Sequence, residues 1–75
     1  MEPLPKIRRL CEAYVCEATE PQSVHILRWM LRRHHKVYVS QRHVENALLG
    51  SERVATEKAP RGGDHSQRWY RPVMP

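Results

Sequence analysis

Val39-Ser40-Gln41-Arg42-His43-Val44-Glu45-Asn46-Ala47-Leu48-Leu49-Gly50 carries the signals of a short helix with a defined start and stop. Ser40 can cap the first turn by accepting a backbone N–H. Val39 and Val44 stand at the N′ and N4 positions of a hydrophobic staple. Val44, Ala47 and Leu48 fall on one side, and Gly50 suits a left-handed stop. The spacing predicts a helix over 40–49 with Gln41, Arg42, Glu45 and Asn46 pointing outward. Such side chains can read base edges in a DNA groove: Arg42 can bond guanine bidentately, and Gln41 or Asn46 can bond adenine. Glu45 can accept from a cytosine amino group, though it also repels phosphate. The plainer alternative is a solvated face on a surface helix.

Upstream, Pro5 suits the first position of a helix, and Ile7, Leu10, Cys11, Tyr14 and Ala18 form one apolar stripe. This predicts a helix over 5–18. Thr19 and Gln22 have the spacing of a capping box around Pro21, which predicts a second helix over 20–34. Val24, Leu27, Met30 and Leu31 are its inner stripe, widened by Ile26, while His25, Arg28 and Arg32 share another face. Lys36–Val39 reads as a very short strand or an extended turn. Downstream, residues 53–71 predict a hairpin. Arg53–Lys58 is one strand, with Val54 and Thr56 on one face. The Gly- and Pro-containing segment 59–66 is the loop, and Gln67–Arg71 returns. Pro72 closes the hairpin, and Val73-Met74-Pro75 is expected to fray. The expected core is Ile7, Leu10, Tyr14, Leu27, Met30, Leu31, Val44, Leu48 and Trp69.

A chain of 75 residues with net charge +5 suits one small domain with a thin core and little room for an enclosed catalytic cavity. Its charge is uneven. Residues 21–50 carry five basic and one acidic side chain, residues 1–20 three and four, and residues 51–75 five and three. The short helix lies in the most basic segment, which suggests an anionic partner. No apolar run approaches the ~18–20 residues of a membrane span. The first residues lack the basic and apolar regions of a signal peptide. The expected location is cytoplasmic, nucleoid-associated or nuclear according to the host, with Cys11 and Cys16 reduced.

The order helix, helix, extended piece, helix, hairpin resembles the winged helix-turn-helix superfamily of DNA-binding domains. The resemblance covers roughly residues 20–72. It is carried by Val39, Ser40, Val44, Ala47 and Leu48, and by the strand, Gly-rich loop and strand that follow. One departure concerns topology. Many members place a strand between the first two helices, whereas the best extended piece here precedes the third. The resemblance implies an α+β, mostly helical winged-helix domain over residues 1–75. It also implies a sequence-specific transcriptional regulator of double-stranded DNA without its own effector domain, of the kind typical of phage and mobile elements. Control would come from concentration, a partner or a homodimer interface. Base contacts would fall to Gln41, Arg42, Glu45 and Asn46. Phosphate contacts would fall to Arg28, Arg32, Arg33, Lys36, Ser40, Arg61 and Arg68. Cations at the end of the second helix equally complement its macrodipole.

Other chemistries have less support. Cys11-x₄-Cys16 with His34 and His35 is not a standard zinc spacing, and residues five apart on a helix diverge by about 140°. Cys11 sits on the apolar stripe as a small core residue. No nucleotide-binding, nucleophile-elbow or zinc-protease motif occurs, so no enzyme activity, metal or cofactor is expected. Trp69 and Tyr70, between Arg68 and Arg71, could stack single-stranded bases. The rival reading has Trp69 capping the core and Tyr70 shielding the sheet. Two alternatives to DNA binding therefore stand: a winged-helix adaptor or inhibitor of a protein or nucleoprotein complex, and an RNA or single-strand binder.

Overall fold

The computed structural model describes residues 3–73, so the fraying expected at Met74 and Pro75 lies outside it. Three helices, α1 (Leu4–Glu17), α2 (Val24–His35) and α3 (Gln41–Leu49), pack on a three-stranded sheet. The strands are β1 (Gln22–Ser23), β2 (Val54–Glu57) and β3 (Trp69–Pro72). The sheet order is β1-β3-β2, antiparallel throughout. This is a small α+β fold of winged-helix-like arrangement, mostly helical as the sequence predicts.

The main correction concerns the start of α2. The capping box at Thr19 and Gln22 does not form. Gln22 and Ser23 instead pair with Tyr70 and Trp69, and Val24 N donates to Arg68 O at 2.9 Å. The helix therefore begins at Val24, with Ser23 Oγ accepting from Ile26 N at 3.2 Å. Pairing with a strand far along the chain overrides the local signal. The strand between the first two helices is present after all, while Lys36–Val39 is not a strand. α2 ends with Lys36 at φ 55°, its N–H donating to Arg32 O, and Val37 N donates to Leu31 O at 3.1 Å. Arg32, Arg33, His34 and His35 crowd that last turn, where positive charge meets the negative end of the helix dipole.

Ile7, Cys11 and Val15 of α1, Val24, Leu27 and Leu31 of α2, and Val44, Ala47 and Leu48 of α3 are buried together with Val37, Val54 and Tyr70. Leu10, Tyr14 and Met30, expected in this core, are only half-buried, the first two packed against its margin. The two hairpin aromatics exchange the expected roles. Val73 N donates to Arg53 O, which makes Val54↔Pro72 and Thr56↔Tyr70 non-hydrogen-bonded pairs. Val54, Tyr70 and Pro72 therefore share the face turned to the helices, and Tyr70 is the buried ring. Pro72 loses no ladder bond to β2, because its nitrogen points away from that strand. Trp69 lies on the other face, where its indole Nε1 donates to Asp64 O at 2.9 Å.

That bond folds the 60–68 loop back on the sheet. Asp64 Oδ1 accepts from Ser66 N at 2.8 Å and from Ser66 Oγ at 2.6 Å, and the Ser66 hydroxyl leads the causes that lower the Asp64 pKa. A Cβ on Gly63 would stand 3.0 Å from the Trp69 ring and from Pro60 O, so a larger residue there would press on the closing turn.

Candidate nucleic-acid interface

α3 is held at both ends by arginines from the other two helices. Arg28 Nε of α2 donates to Val39 O at 3.0 Å, just ahead of the helix. Arg8 Nε of α1 donates to Ala47 O at 2.7 Å, one of the carbonyls that the last turn leaves unpaired. Glu12 of α1 accepts from Ser51 Oγ beyond the C-terminus. At the start, Ser40 Oγ accepts from His43 N at 3.1 Å, as predicted. Gly50 does not take the expected left-handed conformation. Its φ and ψ are −89° and 4°, and the space beside it is taken by the Arg8 guanidinium: a Cβ would come within 2.9 Å of Arg8 Cζ, so a larger residue would push that side chain aside.

With Val44, Ala47 and Leu48 buried, Arg42, Asn46 and Leu49 form the exposed stripe at i, i+4 and i+7. Leu49 is 71 % exposed. The four side chains proposed for base reading are not equivalent. Arg42 and Asn46 stand free on this stripe. Gln41 and Glu45 are half-buried on its flank, and Gln41 Nε2 donates to Glu45 Oε2 at 3.2 Å. Glu45 also faces the sheet closely enough to disfavour ionisation of Tyr70, whose phenol is pushed up to about 12 chiefly by burial.

The cations proposed as phosphate contacts are dispersed. Arg68 is exposed just before β3 and lines a groove of about 300 Å³ with Leu48, Leu49, Thr56 and Tyr70, so the hairpin and the end of α3 share one surface. Arg61 is exposed at the turn beside Gly62, which has φ 83°. Ser40 is exposed, its oxygen already engaged in the cap. Arg28 is half-buried with its Nε bound to Val39 O, while Lys36 is exposed at the left-handed end of α2. Arg32 and Arg33 lie on α2, stacked at 5.4 Å over Tyr38 and 5.3 Å over Trp29.

Sequence reasoning missed Arg8, whose role depends on where α1 meets α3. It also passed over Leu49, although the helical period alone places that residue in line with Arg42 and Asn46. Cys11 is buried and its thiol pKa is pushed up to about 12 by desolvation, whereas Cys16 is exposed. Among the described residues no three His, Cys, Asp or Glu side chains gather to hold a metal, and no helix is long and apolar enough to cross a membrane. No family model, curated protein or solved structure matches the chain.

Proposed function

We propose that the protein binds double-stranded DNA in a sequence-specific way and serves as a transcriptional regulator, with α3 as the reading helix. The observation that carries this reading is the exposed Arg42–Asn46 pair on a short capped helix whose two ends are anchored by Arg28 and Arg8. A helix of this width fits the major groove, and these two side-chain types are suited to guanine and adenine edges. Anchoring both ends limits the rocking that would blur a base contact. Gln41 and Glu45 act as a bonded pair beside the contact, where Glu45 discriminates against phosphate crowding rather than adding affinity. Arg68, beside the end of α3, and Arg61, at the hairpin tip, meet the backbone. The net charge of +5 supplies the long-range, salt-dependent attraction.

The test is selection of duplexes from a random pool, followed by competition between the selected site and its scrambled version. The selected duplex should win by a factor that shrinks in Arg42→Ala. Equal affinity of the parent protein for both duplexes would reject sequence-specific reading, and no binding at low salt would reject DNA as the partner.

A further inference from the structure

α2 presents a second surface that the reading of α3 leaves unused. Trp29 and Arg33 each follow a buried leucine, Leu27 and Leu31, by two residues. That is about 200° round the helix, so they face directly away from the core. Trp29 is 51 % exposed and Tyr38, just beyond the helix, is 71 % exposed. Both rings carry a guanidinium, Arg33 over Trp29 and Arg32 over Tyr38. Stacking fixes each guanidinium flat while leaving its N–H groups turned to the rim, where a carboxylate can meet them. Neither arginine has a carboxylate partner among the described residues. His25, Arg28, Trp29 and Arg32 together border a notch of about 70 Å³.

We infer that this face of α2 docks an acidic segment of a partner protein. Its cations ask for carboxylates, and its anchoring side chains, Trp, Tyr and Arg, are those that dominate binding energy at protein interfaces. Three alternatives fit less well. A second copy docking by the same face would set Arg28, Arg32, Arg33 and Lys36 against their own equivalents with no acid between them. A nucleobase would compete with Arg33 and Arg32 for the ring faces that they cover. The surface is a convex helix rather than the channel that tracks a single strand. The inference does not rest on DNA binding by α3: Trp29, Tyr38, Arg32 and Arg33, which carry it, take no part in base reading, and Arg28 alone borders both faces.

Amide chemical-shift mapping on the isotope-labelled protein tests it. The probes are a short synthetic helix-forming peptide with glutamates beside leucines, the same peptide with glutamine for glutamate, and oligothymidylate. The glutamate peptide should shift amides over 25–38 saturably, and the glutamine peptide should not. Trp29→Ala and Arg33→Glu should each weaken binding by about tenfold or more. Arg42→Ala, which disables the proposed reading helix, should leave it unchanged. Both α2 substitutions are at exposed positions, and an unchanged circular dichroism spectrum confirms that the fold is kept. The inference is overturned if the glutamate peptide gives no saturable shifts, if its shifts fall elsewhere, or if the glutamine peptide binds equally well. Tighter binding of oligothymidylate at the same amides, lost in Trp29→Ala, would make this a nucleic-acid face instead.

Discussion

The guanidinium of Arg8 lies across Gly50, and its Nε holds the carbonyl of Ala47 at 2.7 Å. A residue near the start of the chain thereby closes the far end of α3. The glycine serves this approach rather than a special dihedral, since its φ of −89° and ψ of 4° are open to any side chain.

Gly50→Ala should act on stability through Arg8. In the parent it displaces the guanidinium from Ala47 O and costs about 1 kcal/mol, the lower range for a partly exposed charged hydrogen bond. In an Arg8→Ala background nothing is left to displace. There the same change should stabilise by about 0.4–1 kcal/mol, because alanine restricts the unfolded chain. Urea midpoints of the four proteins in this cycle measure it. Equal effects in both backgrounds would break the proposed link.

The two serine caps should differ. Ser40→Ala exposes His43 N–H to water and should cost about 1 kcal/mol. Ser23 is 4 % exposed, so water is a poor substitute for its bond to Ile26 N. Ser23→Ala should cost about 2 kcal/mol, the top of the usual range. Denaturation midpoints at unchanged slope check this. A larger loss at Ser40 would contradict the burial argument.

Alkaline pH should destabilise the fold. Burial raises Cys11 from 9.0 and Tyr70 from 10.0, each to about 12. The unfolded chain therefore loses these protons first. The associated stability is complete below pH 9 and is lost as pH rises to about 12. Tyr70→Phe should remove the tyrosine share of that decline. Near neutrality it should be almost neutral or slightly stabilising, because the buried Tyr70 hydroxyl has no hydrogen-bond partner among the described residues. Unfolding followed at a series of alkaline pH values decides it, and an unchanged decline in the variant would refute the assignment.

Arg42 and Arg61 should separate in binding. Removing Arg42 should cost ~1–3 kcal/mol on the selected duplex and flatten preference at one base pair. Removing Arg61 should weaken selected and scrambled duplexes alike and lower the salt slope by about one unit. Isotherms on both duplexes at several salt concentrations distinguish them. A base-specific effect of Arg61 would reverse the assignment.

The parts of the fold written in the sequence are those that local chemistry decides. The cap at Ser40, the buried side of Val44, Ala47 and Leu48, and the hairpin all follow from residues within a few positions of one another. What stayed hidden depends on distant partners. Ser23 caps α2 because Gln22 and Ser23 find β3, and no neighbouring residue signals that. Tyr70 rather than Trp69 is buried because the β2–β3 register fixes which side faces the helices, and a shift of one residue would exchange them. In the candidate site, Arg42 and Asn46 were legible from the helical period. The same period puts Gln41 and Glu45 on the flank beside Leu48, but it does not show their bond to each other or the sheet beside Glu45.

Holding α3 by its ends has an evolutionary consequence. The bonds that orient the helix run through Val39 O and Ala47 O, which are backbone atoms, and its grip on the core runs through Val44, Ala47 and Leu48. None of these depends on the identity of residues 42, 46 or 49. Those three positions can therefore diverge between lineages while the scaffold stays intact. If α3 reads DNA as proposed, new preferences can arise by point substitution without a compensating change elsewhere in the chain.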